Sequence, residues 1–388
     1  MELVYTAKQN QFRAEVRDWM NANVPAEPLQ SFDCKEGFDQ HIAWEKTLAS
    51  GNWGMVTWPE EYGGRNCSLI EWLIFEEEYY RADAPLRVNQ NGIFLLGPTL
   101  MEYATDQQKA RFLTKMAAGE EMWAQAWSEP GAGSDMAAIR SKAELDGDEF
   151  IINGQKIWST RAAFADYAFG LFRTDPASER HHGLSFILVP LDAPGVTVRP
   201  IAQLDGMAGF AEIFFDDVRV SRDHLIGGEG EGWKIAMATA GFERGLMLRS
   251  PARFQNTSKR LVELYRRHRH DLLDASLEDA VVRCYMDVES YALSTYQTAS
   301  RLDSGGSIGA ESSCNKIFWS ELDIRMHQTA MNILGARAEV IPHSEDEKQQ
   351  LGRWLDGFLF SQSGPIYAGS NEIQRNIIAE RMLGMPRR

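Results

Sequence analysis

Apolar positions along the chain change their period twice. Up to about Met122 they recur every three to four residues, in Phe12 to Met20, Ile42 to Leu48, Leu69 to Tyr80 and Gln107 to Met116, which is the spacing of a buried helix face. The turn cluster Trp58-Pro59-Glu60-Glu61-Tyr62-Gly63-Gly64 separates two of these helices. From about Trp123 the pattern shortens to runs rich in β-branched and aromatic residues: Phe150–Ile152, Tyr167–Phe172, Leu184–Leu191, Val196–Ile201 and Ala211–Val220. Asp146-Gly147 and Asn153-Gly154 supply tight-turn chemistry between strands, and strands in such a series predict a small barrel or sandwich. Beyond Asp223 the helical period returns, over roughly 233–265, 277–303, 309–337 and 371–383, as in an antiparallel bundle. Ala338 to Gln350, charged and containing Pro342, reads as an irregular insertion. The pattern predicts an α+β chain with a helical domain at 1–122, a β domain at 123–222 and a helical bundle at 223–388.

With 388 residues the chain is too long for one compact core, which agrees with that division. Its 44% hydrophobic and 24% charged residues are ordinary for a globular protein, and no segment approaches the roughly 20 apolar residues of a membrane span. Met1 to Met20 carries Glu2, Glu15 and Asp18 and lacks the apolar centre of a signal peptide, so a soluble, cytoplasmic protein is expected. Cys34, Cys67, Cys284 and Cys314 have no CxxC spacing and predict neither disulfides nor a zinc site. A net charge of −15 disfavours nucleic acid as a partner. The basic run Arg266-Arg267-His268-Arg269-His270 reads as a solvated helix face, and His268 and His270, two apart, do not share a face for a metal.

Two glycine-rich stretches are candidates for ligand contact. Gly228-Glu229-Gly230-Glu231-Gly232 does not have the GxGxxG spacing and would set two carboxylates against a pyrophosphate, so it reads as a turn into a helix. Trp127-Ser128-Glu129-Pro130-Gly131-Ala132-Gly133-Ser134-Asp135 is more informative. It gathers small residues, hydroxyls and backbone N–H groups at the junction of the α and β regions, where ligand pockets form.

This segment resembles the acyl-CoA dehydrogenase motif in which a hydroxyl residue, here Ser128, precedes Glu-Pro-Gly-Ala-Gly-Ser-Asp. Three more resemblances follow in order: Ile152 to Thr160 is similar to the family's strand pair at the flavin, Gly230 to Arg244 to the start of its long helix, and Ile366 to Arg375 to its C-terminal signature. The resemblance implies a helical N-terminal domain, a central β-barrel and a C-terminal four-helix bundle, with FAD and acyl-CoA held between them in a dimer-based tetramer. It implies that Trp127 and Ser128 contact the isoalloxazine with Gly133 in the same loop, that Trp158 packs on the ring and that Thr160 bonds near N5. It assigns Ser134 and Arg244 to the acyl-CoA, and Ser370 and Glu372 to the FAD. Hydroxyls and N–H groups suit a ring that gains charge when reduced.

The implied reaction removes a proton from Cα and a hydride from Cβ of the thioester, so it needs a carboxylate base. Many members carry that glutamate immediately before the C-terminal Gly-Thr or Gly-Ser, but this chain has Ala368 there, which can contribute only its backbone N–H to the thioester carbonyl. A minority place the glutamate on the long helix directly before an arginine, as in Glu243-Arg244. Glu243's helical neighbours Thr239, Ala240, Leu246 and Met247 carry no charge, a setting that raises a carboxyl pKa toward that of a useful base. Gly241 and Gly245 beside it are poor helix formers and suggest close approach of a bulky ligand.

A second departure concerns the partner. Members usually hold the ADP half of a neighbour's FAD with Arg-x-x-Phe-Gly and Gln-x-x-Gly-Gly segments; here these read Arg269-His270-Asp271-Leu272-Leu273 and Asn332-Ile333-Leu334-Gly335-Ala336. With Arg269 and Asn332 as the remaining ADP contacts, two assemblies stay open: an α2β2 heterotetramer in which a homologous subunit supplies the ADP half, or a homotetramer with altered contacts. The glutamate placement resembles bacterial members acting on branched, cyclic or steroid-derived CoA thioesters in β-oxidation-like catabolism, passing electrons to electron-transfer flavoprotein. Two other readings share the fold: a non-catalytic FAD- or CoA-binding partner subunit, and an oxidase or flavin monooxygenase, separable by how fast the reduced enzyme reacts with oxygen.

Overall fold

The computed structural model describes residues 4–243, 249–270, 274–340, 351 and 353–386, and for Glu243 and Arg353 the backbone alone. Backbone contacts gather the chain into two compact units: Met1–Ala22, Ser68–Ala84 and Arg244–Arg388 form one, Asn23–Cys67 and Pro85–Glu243 the other. No helix among the described residues is long and apolar enough to cross a membrane.

The second unit is built on a mixed sheet. Its strands are β1 (Trp123–Ala126), β2 (Lys142–Asp146), β3 (Glu149–Thr160), β4 (Tyr167–Arg173), β5 (Leu184–Pro190), β6 (Val196–Ile201), β7 (Phe210–Ser221) and β8 (Leu225–Ile226). They pair in the order β6-β7-β3-β2-β4-β5-β8, with β1 joined to β4 in parallel. Among the described residues no ladder joins β6 to β8, so the expected barrel is present as a sheet and its closure is not. One face of the strands buries Phe150, Ile152, Phe172, Ile187, Val189, Ile213 and Val218, the source of the period-two pattern. Asp146-Gly147 makes the β2–β3 turn, Gly147 lying at φ 64°.

Asn153-Gly154 is a correction. It lies inside β3 rather than between strands, at a register shift opposite β7. Gly154 takes φ 148°, and a Cβ there would come within 2.3 Å of Ser141 Oγ, so glycine marks a bulge pressed against β2's approach.

Around the sheet lie α2 (Lys35–Ser50), α4 (Gly97–Tyr103), α5 (Asp106–Ala117) and α6 (Gly232–Glu243), with a π-helical turn at Asn91–Leu96 that periodicity did not indicate. The start of β1 is tied to this shell by buried polar groups. Glu45 accepts the Val88 N–H and, at 2.8 Å, the Asn89 N–H; Asn89 in turn donates to Glu121 O and accepts from Trp123 N–H. Burial pushes the Glu45 carboxyl up against these donors.

The first unit is helical: α1 (Ala7–Asn23), α3 (Leu69–Arg81), α7 (Pro251–His268), α8 (Ser276–Asp303), α9 (Ser312–Leu334), α10 (Arg353–Ser361) and α11 (Asn371–Ile377). α7 to α10 form the bundle around Phe254, Leu261, Val288, Trp319, Leu322, Met326 and Trp354. α3 starts in a capping box, Ser68 with Glu71, and Asp303 at the end of α8 accepts the Leu69 and Ile70 N–H groups.

The helix expected over 233–265 is two helices. Ser250 is extended (ψ 132°) and caps α7 through the Ala252 N–H, and Pro251 occupies the first turn, where its missing N–H costs nothing. The last expected helix ends as a π-turn at Ile378–Met382. Arg244, Gly245, Leu246 and Met247, Asp271 to Leu273 and most of the expected insertion, 341–350, lie outside the described residues.

Candidate active site

In the sheet unit, the Trp127–Asp135 segment leaves β1 and turns at Glu129–Ala132, where the two residues exchange backbone hydrogen bonds. What fixes this turn is beneath it. Lys156, with none of its side chain exposed, donates from Nζ to Glu129 Oε1 (2.8 Å), Leu171 O (2.7 Å) and Trp127 O (3.3 Å). The same carboxylate accepts the Arg140 and Ser141 N–H groups. Burial depresses Lys156 to about 8 against the opposing pull of Glu129. Burial also pushes the Glu129 carboxyl up, but the Lys156 charge and the two N–H donors outweigh it and hold it below the usual range. The sequence motifs contain both residues but assign neither a role, because the pairing shows only where the acceptors converge on Lys156.

Ile157 N–H donates to Ser128 O (2.9 Å), fastening β3 to the turn. One residue on, Trp158 adopts φ 61° at a register shift between Lys156 and Ser159. The bulge reverses the strand's parity. Lys156 and Ser159 are both buried, while Trp158 is turned out, 57% exposed, with its ring edge-on to Phe210 at 6.2 Å. A left-handed backbone at an exposed tryptophan costs on the order of 1–3 kcal/mol and marks functional surfaces. Ser128 and Thr160 are half-buried, and Gly133 and Ser134 exposed. An added Cβ at Gly131 or Gly133 would meet nothing within 4 Å, so the turn presents open backbone. Trp127 Nε1 and Ser159 Oγ are buried without a hydrogen-bond partner among the described residues. A flat aromatic face, two accessible hydroxyls, open glycines and unsatisfied polar atoms suit a flavin ring.

Glu243 is the last described residue of α6, and its side chain, like Arg244, lies outside the described ones. The helix beneath it is fixed: Thr239, one turn earlier, is buried with its hydroxyl 2.8 Å from that of Thr99 on α4. Gly241 has no atom within 4 Å of an added Cβ.

In the helical unit, the signature loop carries two consecutive left-handed residues, Ala368 (φ 58°) and Gly369 (φ 77°). Ser370 caps α11 by accepting the Ile373 N–H, and Glu372 is exposed beside Arg375. Tyr367 packs on Trp319 and Phe360, and its hydroxyl accepts from Arg249 at 3.1 Å. Arg269 and Asn332 are both exposed, Asn332 accepting from Gln328.

An exposed aromatic face beside hydroxyls and open backbone is the kind of surface a flavin-dependent oxidoreductase offers its ring. Comparison with known proteins gives the family. Models of the acyl-CoA dehydrogenase N-terminal, middle and C-terminal domains match residues 6–120, 124–218 and 230–383. The chain is 42% identical to acyl-CoA dehydrogenase IpdE1 of Mycobacterium tuberculosis, across 97% of this chain and 98% of that protein. Among solved structures, the Tcur3481-Tcur3483 steroid ACAD matches with a TM-score of 0.88 at 31% identity, covering 100% of both chains. The ChsE4-ChsE5 complex from Mycobacterium tuberculosis matches with 0.85 at 30% identity, also over 100% of both. The chain belongs to the acyl-CoA dehydrogenase family and is an FAD-dependent enzyme.

Proposed function

We propose that this enzyme desaturates a branched, cyclic or steroid-derived acyl-CoA at the α,β position, with Glu243 as the base. The observation that carries the reading is Ala368: the loop Gly364 to Ser370 holds no carboxylate, so the proton acceptor must come from elsewhere, and Glu243 stands in α6 one turn beyond the anchored Thr239 and two residues beyond Gly241. Bound FAD supplies the hydride acceptor. Trp127, Ser128, Gly133, Trp158 and Thr160 would hold its ring, and Ser370, Glu372, Arg269 and Asn332 are the candidates for its ribose and phosphates. Glu243 takes the Cα proton, Ser134 and Arg244 contact the acyl-CoA, and the Ala368 N–H polarises the thioester carbonyl. Electron-transfer flavoprotein is the proposed acceptor.

The substrate class is supported by the steroid ACAD at 31% identity, and an α2β2 assembly by the likeness to a complex of ChsE4 with ChsE5 and by the altered Leu334-Gly335-Ala336 segment. An anaerobic screen of acyl-CoA thioesters against the co-expressed protein tests the substrate. Ring-bearing or branched thioesters should bleach the flavin faster than straight medium chains, and the reverse order would refute the assignment. Purification of this chain alone with four tightly bound FAD per tetramer would refute the heteromer in favour of the homotetramer.

A further inference from the structure

The loop that carries Ala368 is closed at its base by one buried side chain. Lys316 on α9 is 1% exposed, and its Nζ donates to Gly364 O at 2.9 Å and to Asn371 Oδ1 at 2.7 Å, the first residue of the loop and the first of α11. Asn371 is itself 2% exposed, exchanges contacts with Ser320 Oγ and donates its N–H to Pro365 O at 2.8 Å. On the far side Gln374, fully buried, donates to Gly369 O at 3.1 Å. Between these fixed ends Ala368 and Gly369 are held left-handed, a conformation that is strained at a residue with a Cβ and persists only where surroundings impose it.

We infer that Lys316 is a positioning residue for the dehydrogenation: by bridging Gly364 and Asn371 it holds the Ala368 backbone in the conformation that aims its N–H at the thioester carbonyl. The inference rests on the proposed role of the Ala368 N–H. The physical argument is that a donor stabilises developing charge only when it is fixed in advance. A seven-residue loop with two left-handed residues has no such rigidity of its own. Lys316 touches neither substrate nor cofactor in this role. It acts by removing the alternative loop conformations in which Ala368 relaxes to negative φ and its N–H swings away. A simply structural lysine would affect stability and leave the carbonyl untouched.

The test uses the FAD-loaded enzyme, in its native assembly, with two probes: 3-phenylpropionyl-CoA for anaerobic flavin reduction, and cinnamoyl-CoA, 13C-labelled at the carbonyl, for infrared difference spectra of the bound thioester. In the wild type the labelled stretch should fall below its value in water. Lys316→Met should return it toward the value in water and slow reduction on the order of tenfold or more, with half-saturation little changed and flavin content retained. Asn371→Leu, which leaves the lysine and its bond to Gly364 O but removes its bridge to α11, should do the same and serves if Lys316→Met fails to fold. A stretch in both variants identical to that of the wild type overturns the positioning role. A wild-type stretch equal to that in water overturns the Ala368 assignment itself, and the inference with it.

Discussion

Lys156 Nζ lies 2.8 Å from Glu129 Oε1, the lysine side chain wholly buried and the carboxylate side chain 8% exposed. A pair so far from solvent adds little net stability, because desolvation of both charges offsets most of their attraction. Its effect is on geometry: β3 and the Trp127–Asp135 turn are locked together on either side of the exposed Trp158, which sets the proposed flavin face.

Breaking that lock from one side should be worse than removing it. Glu129→Gln leaves a buried lysine without its carboxylate and should cost about 3–5 kcal/mol together with most of the bound flavin. The double variant Glu129→Gln/Lys156→Met should lie closer to wild type than the sum of the singles. Denaturant unfolding and visible flavin absorbance of the purified proteins measure both effects; additive losses would remove the coupling.

The hydroxyl pair Thr99–Thr239 invites a similar cycle. Each hydroxyl also lies within hydrogen-bond distance of its own helix's backbone, Leu95 O at 2.8 Å and Ile235 O at 2.9 Å, so two protons serve three contacts. Either single valine variant should cost roughly 1–2 kcal/mol, and the double variant less than their sum. A double variant costing the full sum would show that the two hydroxyls act independently and not as a pair.

Acid should act on the helical unit through Glu78, whose side chain is 1% exposed and contacts Arg13, Arg17 and Arg81. Burial alone would raise its carboxyl, but the hydrogen bonds from Arg17, Arg81 and Arg13 bring it down to about 2 from 4.5. With a folded pKa below the unfolded one, the unfolded chain binds the proton first. The stabilisation is complete above about pH 4.5 and is lost as pH falls toward 2. Allowing for screening at the half-exposed Arg17 and Arg81, it is worth about 2 kcal/mol. The stability gap between wild type and Glu78→Gln should hold within about 0.5 kcal/mol from pH 5 to 7, narrow below about pH 4.5 and close as pH approaches about 2; a gap independent of pH down to about 2.5 contradicts it.

Gly154→Ala should cost about 2–4 kcal/mol, because the backbone is at φ 148° and the new methyl meets Ser141 at 2.3 Å. Gly133→Ala, with open space at its Cβ, should leave stability nearly unchanged and reduce flavin affinity. Thermal unfolding with and without added FAD separates the two; equal destabilisation would mean that Gly133 serves packing instead of the cofactor.

Much of this layout was legible because it follows from period. The strand at Val196–Ile201 and the helix at Asp106–Ala117 show one more buried face, the strand at Tyr167–Arg173 is a continuous apolar run buried on both faces, and these and the helix at Leu69–Arg81 begin near the expected residues. Three features were not. The break before Pro251 was hidden because the apolar pattern continues across it, although Ser250-Pro251 is itself a helix-start signal. Asn153-Gly154 has the composition of a turn, and only the closeness of Ser141 shows that glycine is there for a bulge. Lys156 and Lys316 read as ordinary polar positions, since a buried lysine is recognisable only from the acceptors that converge on it, and those come from residues 15 to 55 positions away.

The central claim is that the base is Glu243 and that Ala368 has no part in proton removal beyond its N–H. Single-turnover flavin reduction without oxygen, comparing Glu243→Gln with wild type at saturating acyl-CoA, tests it most directly. The account predicts that reduction slows on the order of 10²–10⁴-fold while FAD content and acyl-CoA binding persist. Reduction at the wild-type rate would contradict it.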